Sequence, residues 1–169
     1  MKIKVPDING YLPDKYSKYA KQEEKYKENP CISFPIEIKE KPGETKSLAL
    51  TFIDFDAVQV CGFPWIHWTA CNIPRDLDYL LENMSTDNIL NIVQGKNSFA
   101  SFFVGEKDEN ITMKYAGPTP PDKEHLYTLT VYALDTILDL KNGYYLNDFY
   151  KKIKGHVLSK ASIEILGRY

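Results

Sequence analysis

An antiparallel β-sandwich with one or two short peripheral helices is the architecture this sequence predicts. Three observations carry that reading. Several stretches alternate apolar with small or polar residues, the two-residue period of a strand. Twelve tyrosines within a 13% aromatic content, with ten prolines and nine glycines, suit many short strands and turns. Helix-period segments are too few to supply the crossovers of a parallel sheet.

Residues 1–30 are polar and tyrosine-rich, and the Lys/Glu-rich run from Tyr19 to Asn29 reads as a solvated helix or an ordered loop. Ser47 to Phe55 reads as a strand on the alternation of Leu48, Leu50 and Phe52. If it continues, Asp54 and Asp56 share that parity and face the interior or a cleft, where a carboxylate needs partners. Trp65 to Ile73 is a second strand, bracketed by Pro64 and Pro74, with His67 near its middle. Asp76 to Met84 is expected to be a short helix, with Leu77, Leu80 and Leu81 on one side. Residues 85–110 read mostly as loop and short strand, and Ile111 to Tyr115 as a strand. The following Gly117-Pro118-Thr119-Pro120-Pro121-Asp122 is a rigid, extended loop, since proline fixes φ and removes donors. His125 to Leu134 is the clearest strand, with His125, Tyr127, Leu129, Val131 and Ala133 on one face. Leu146 to Lys154 is an amphipathic helix on Leu146, Phe149, Tyr150 and Ile153, with Gly155 as its stop. Ala161 to Leu166 is a closing strand. No repeat or linker divides the chain, so residues 1–169 read as a single domain.

Composition excludes several functions. Hydrophobic residues make up 43% and charged residues 26%, a globular balance. Lys and Arg total 21 against 23 Asp and Glu, so the net charge of −2 argues against a nucleic-acid partner held by bulk electrostatics. No apolar run approaches the ~20 residues of a membrane span. The opening residues lack an apolar signal core, which points to the cytoplasm. Cys31, Cys61 and Cys71 are odd in number and form no CxxC, so reduced and mostly buried thiols are expected.

The chemistry on offer is confined to few residues. Of the three histidines, His67 and His125 lie in or at the mouth of strong strands, while His156 reads as structural. Together with Asp54, Asp56 and the proline loop they suggest an anion site: imidazole N–H groups and a tyrosine hydroxyl donate to phosphate oxygens. A neighbouring carboxylate would fix a histidine's tautomer, favour its charged form and repel a dianion. Asp56 could equally cap a turn, and Trp65 and Trp68 read as core. Asp-x-Asp with two histidines could also ligate zinc or iron, or work as an acid–base pair in hydrolysis. No Gly-x-Ser-x-Gly elbow, P-loop or dinucleotide fingerprint accompanies them, and no metal or cofactor is expected.

Four blocks in order resemble a known family: Asp54-Phe55-Asp56-Ala57; Trp65-Ile66-His67-Trp68 with Asn72-Ile73-Pro74; Gly117 to Pro121 followed by His125-Leu126-Tyr127; and Gly155-His156-Val157-Leu158 with Ala161 and Gly167-Arg168-Tyr169. The opening Asn9-Gly10 and Pro13-Asp14-Lys15-Tyr16 add to the match. This is similar to the phosphatidylethanolamine-binding protein family, specifically its bacterial Raf-kinase-inhibitor-like branch. The resemblance implies a Greek-key β-sandwich and a small pocket for phosphate-type anions. Its pocket residues would be Asp54, Asp56, His67, His125 and Tyr127, walled by Pro118, Pro120 and Pro121. It further implies a non-enzymatic binder of a phospholipid headgroup, phosphorylated metabolite or phospho-side chain, with a kinase or protease as protein partner and a homodimer among its assemblies. The alternative is a hydrolase pairing Asp54 or Asp56 with His67. The family's usual prolines are replaced by Phe55 and Val58, its usual arginine by Leu126, and a common glycine by Lys123.

Overall fold

The structure is a computed structural model and describes residues 1–169. Its larger sheet has five antiparallel strands. The central strand, β5 (Ser47–Asp54), lies between β6 (Trp65–Pro74) and β9 (His125–Leu134). The short β8 (Val93–Gln94) extends the β6 side and β10 (Val157–Gly167) the β9 side. The smaller sheet places β4 (Ile36–Lys39) between β1 (Lys2–Lys4) and β7 (Tyr79–Leu80). A two-stranded hairpin pairs β2 (Lys25–Tyr26) with β3 (Asn29–Pro30).

Alternation along these strands builds the core. Leu48, Leu50 and Phe52 of β5 meet Leu129 and Val131 of β9 on one face of the large sheet. Ile36 and Ile38 of β4, with Phe34, close over them from the small sheet. Phe34 packs edge-on against Phe52 and Tyr115 at 5.2 and 5.7 Å between centroids, the geometry the ring quadrupoles favour. The opposite face of the large sheet carries Ala49, Cys71 and Tyr132. It is covered by α4 (Leu146–Ile153) through Phe149 and Ile153. Every residue of β5 is therefore buried, as expected of a strand covered on both faces.

β9 has the expected bounds, and α4 lies where its apolar spacing placed it. Gly155 takes a left-handed φ of 84° between α4 and β10. β10 starts at Val157, earlier than its apolar alternation signalled, because its first half lies at the exposed edge. Three expectations are corrected. Asp76–Met84 is not a helix: Leu80 enters the core as a strand residue opposite Ile36, while Leu81 faces solvent. A single helical turn, α2 (Met84–Asp87), begins only after Asn83 has turned the chain through a left-handed φ of 58°. Ile111–Tyr115 is not a strand: Asp108 accepts from Asn110 N–H and caps α3 (Glu109–Thr112), which buries Ile111 and Thr112. The run Tyr19–Asn29 forms a 3₁₀ turn followed by the β2–β3 hairpin. Of the thiols, all unpaired, Cys71 alone is buried, and Cys61 is exposed.

Candidate functional site

At one end of the large sheet the three central strands deliver one polar side chain after another to the same place. Asp54 is the last residue of β5, and Trp65 and Tyr127 stand opposite it on β6 and β9. Asp54 divides its two oxygens. Oδ1 accepts from Ala57 N–H at 3.0 Å, which starts the turn of α1 (Val58–Cys61). Oδ2 accepts from His125 Nδ1 at 2.7 Å.

His125 opens β9 and is 1% exposed. Its Nε2 lies 2.8 Å from Asp122 Oδ1, at the end of the proline loop. An ionised carboxylate only accepts, so both ring nitrogens donate and the ring is an imidazolium. Burial opposes that charge, but hydrogen bonds to Asp54 and Asp122 and their fields outweigh it and raise the pKa. The same bond holds the Asp122 carboxyl below its ordinary range.

His67 is the opposite case. Its Nδ1 lies 2.6 Å from Ala116 O, and a carbonyl only accepts, so Nδ1 carries the proton. Burial, only partly offset by that bond and by the Asp54 charge, pushes its pKa down to about 4. The ring is therefore neutral at pH 7, and Nε2 is a bare lone pair. Nε2 makes no hydrogen bond, yet Asn83 Oδ1 is the one fully buried side-chain polar atom lacking a partner. Nε2 must accordingly reach solvent, and the opening it reaches is the pocket that His67 lines. Tyr127 stands edge-on to His67 at 5.1 Å. Burial, with Asp54 beside it, raises its hydroxyl pKa, so it stays protonated.

The pocket encloses about 260 Å³. Asp54, His67, His125 and Tyr127 form its polar part, while Ala57 just before α1, Val60 and Cys61 of α1, Trp65, Phe99 and the loop residues Thr119 to Pro121 form the walls. No Lys or Arg lines it. Lys123 instead ties the proline loop to α1 through Gln59 at 2.9 Å. Trp65 and Phe99 meet edge-on at 5.2 Å, and Phe63 stacks on Trp65, so the rim is aromatic.

Asp54, His67, Pro120, Pro121, His125 and Tyr127 are thus brought together, and Asp56 and Pro118 are not among the lining residues. Asp56 accepts from Leu126 N–H at 2.8 Å, fixing the start of β9, and Pro118 is buried behind the wall. His156 pairs with Asp135 on the surface. The Asp54–His67 acid–base pair is not formed: Asp54 is bonded to His125 and His67 to a carbonyl. No cluster of three or more His, Cys, Asp or Glu side chains is arranged to hold a metal. Sequence reasoning missed Asp122, Trp65, Phe99 and α1 as site residues. Asp122 carried one usable signal, an acid three residues before a histidine and just after two prolines.

Comparison with known proteins gives a consistent result. The family model described as phosphatidylethanolamine-binding protein matches residues 2–168. The chain is 53% identical over 162 residues to the uncharacterised protein YxkA of Bacillus subtilis, covering 96% of each. It is 39% identical over 140 residues to a UPF0098 protein of Methanothermobacter thermautotrophicus, covering 82% of each. Among solved structures, a Chlamydia trachomatis protein described as a homologue of phosphatidylethanolamine-binding protein superposes with a TM-score of 0.72 at 29% identity, over 94% of this chain and 88% of that one. Escherichia coli YbcL superposes with a TM-score of 0.78 at 24% identity, over 99% and 98%, a likeness of fold. On these matches the chain belongs to the phosphatidylethanolamine-binding protein family.

Proposed function

We propose that residues 1–169 form a single non-enzymatic binding domain whose pocket takes a small, singly charged phosphate-type anion that shares a proton with His67. One observation carries this reading: the free Nε2 lone pair of a neutral His67 opens into the pocket beside the Asp54 carboxylate. Asp54, Asp122 and the His125 imidazolium sum to one negative charge, and no Lys or Arg lines the pocket to offset it. A dianion would meet repulsion from Asp54. A monoanion with a P–OH group can donate to Nε2, and its charged oxygens lie near the protonated Tyr127 hydroxyl. A headgroup, a phosphorylated metabolite and a phospho-side chain share this chemistry. The aromatic rim of Trp65 and Phe99 suits an apolar substituent on the phosphate. Hydrolysis is not favoured: His67 is too weak a base, and both His125 nitrogens already donate.

Two structural readings accompany this one. The order β9-β5-β6-β8 within the large sheet supports a Greek-key sandwich, with the fourth strand returning beside the first. No helix is long and apolar enough to cross a membrane, and three unpaired thiols support the reducing cytoplasm as the compartment.

Titration with methyl phosphate, followed by the His67 ring resonances, tests the function. A phosphomonoester loses its second proton near pH 6. Affinity should therefore fall about tenfold per pH unit above that value, and His67→Asn, which removes the Nε2 acceptor, should weaken binding of the monoanion and flatten that dependence without removing it. Binding that is equally tight at pH 5.5 and 8, or that leaves the His67 signals unmoved, refutes it.

A further inference from the structure

The segment from Asn97 to Gly105 carries apolar surface that the fold does not use. Phe102 is 95% exposed and Phe103 86%, although a phenyl ring gains by leaving water. The segment is nevertheless held in place. Ser98 Oγ accepts from Ile66 N–H at 2.8 Å and pins it to β6. The buried Asn97 accepts from Phe99 N–H at 3.0 Å and starts a 3₁₀ turn (Ser98–Ala100). Ser101 O then accepts from Val104 N–H at 3.2 Å and from Gly105 N–H at 2.8 Å. Gly105 closes this turn at a left-handed φ of 76°. The two outward rings are thus presented to solvent by a hydrogen-bonded turn.

These rings continue the pocket wall. Trp65 and Phe99 line the pocket beside His67. Phe63 stacks on Trp65 at 6.1 Å and on Phe103 at 6.4 Å, and Phe102 meets Phe103 edge-on at 6.1 Å. An unbroken run of aromatic rings therefore leads from the pocket to solvent. Val60 of α1 also lines the pocket and is 47% exposed, which adds apolar surface at the mouth.

We propose that this run holds the chain of an amphiphilic phosphate monoester, whose phosphate sits in the pocket while one long alkyl or isoprenoid chain lies along Trp65, Phe63 and Phe103. The inference rests on the function proposed for the pocket and adds the other half of the ligand. Two observations select the class. The bare Nε2 of His67 calls for a P–OH donor, which a monoester monoanion carries and a diester, such as a phosphatidylethanolamine headgroup, lacks. A polar metabolite would leave Phe63, Phe102 and Phe103 wet, whereas an apolar chain covers a patch that begins inside the pocket.

Calorimetric titration of the full chain at pH 5.5 with methyl, butyl and octyl phosphate, each below its aggregation threshold, tests this. A methylene lying against one aromatic face loses about half its water contact, so affinity should rise about twofold per methylene and about a hundredfold from methyl to octyl. Octyl methyl phosphate has the same chain and charge but no P–OH, and should bind about tenfold more weakly than octyl phosphate. Phe103→Ser removes a ring the core does not contain, so the fold stands, and it should cut the methyl-to-octyl gain about tenfold. His67→Asn should weaken all three monoesters alike. Methyl phosphate that binds while octyl phosphate binds no tighter overturns this inference and leaves the pocket reading standing. If no ester moves the His67 ring signals, the pocket reading fails and this inference with it. A diester as tight as the monoester, or a chain-length gain untouched by Phe103→Ser, overturns the assignment. So does octyl affinity unaltered by His67→Asn, which would make the rings a general apolar docking face for a protein or a membrane.

Discussion

Replacing His67 by Asn isolates one buried ring whose effect on stability has a defined sign and window. The amide of Asn can still donate to Ala116 O, but nothing at the site can then take up a proton. In the native protein the His67 pKa is pushed down to about 4 by burial, whereas an unfolded histidine titrates near 6.5. Between these values the unfolded chain binds a proton that the folded chain refuses, so stability falls as pH falls. At up to about 1.4 kcal/mol per pH unit, the loss from pH 6.5 to 4.5 is about 2 kcal/mol. His125 is silent in this window. Its folded pKa is raised, so its ring is charged in both states below the unfolded value, and its contribution there is constant. Carboxylates held low by their partners, such as Asp122, act mainly below this window, and their residual effect is common to both proteins. Urea unfolding at several pH values therefore gives a clean difference. The wild type should lose about 2 kcal/mol more than His67→Asn from pH 6.5 to 4.5, even though the variant starts lower for want of its contacts with Phe52 and Tyr127. Parallel curves for the two proteins would show that His67 is not held neutral, and the account of the pocket would go with it.

Asp54→Asn removes one of the two carboxylates that charge the buried His125, and should cost about 3 kcal/mol in urea unfolding at pH 6. Because the His125 pKa is raised, that penalty is complete below about pH 6.5 and fades as pH climbs through the folded-state value; an equal gap at pH 6 and 9 would contradict it. Gln94→Leu strips the acceptor shared by Trp68 Nε1 at 2.8 Å and Ser85 Oγ at 2.7 Å, leaving buried donors unmet. Thermal melts should report a loss of about 2–4 kcal/mol, and a neutral variant would mean that the network relaxes onto other partners. Cys61, exposed in the pocket wall, should react first with a disulfide reagent, and Cys71, buried with its thiol pushed up to about 12, last. Methyl phosphate in the pocket should slow the Cys61 reaction, and an unchanged rate would place the ligand elsewhere.

How much was legible follows from how each element earns its place. β5 announced itself by the spacing of Leu48, Leu50 and Phe52, β6 by the prolines that bracket it, and β9 by an alternation that its burial follows over its first half. The small sheet passed unread. Its strands run two to four residues, too short for a period to register, and Ile36 and Ile38 are its only clean alternation. Leu77, Leu80 and Leu81 mimic a helix by spacing alone; their real assignments depend on β4, which lies forty residues away. At the site, parity placed Asp54, His67, His125 and Tyr127 inward, and the strand order then made them neighbours. Partnership was not legible. Whether Asp54 serves His67 or His125 depends on which ring the register of β5 against β9 presents to it, and single-strand patterns hold no register.

That distinction decides the chemistry. Two histidines a few ångströms from one carboxylate suggest two cationic donors and a site for a highly charged anion. The geometry assigns them opposite roles. One carboxylate from a strand end and one from the proline loop lock His125 as a buried cation that has no proton-accepting nitrogen left. A backbone carbonyl and deep burial then keep His67 neutral, with its lone pair turned to the opening. The fixed charge thus sits in the pocket wall with no nitrogen left to accept, and the adjustable proton belongs to His67 beside it. A ligand that brings a proton completes His67, while one that brings only negative charge meets Asp54 unshielded. Selectivity for low charge follows from this order of groups, and the loop carrying Asp122 and the prolines acts on it indirectly. Asp122 holds His125 charged but cancels that charge in the sum, so the Asp54 carboxylate stays uncompensated and the pocket keeps one negative charge.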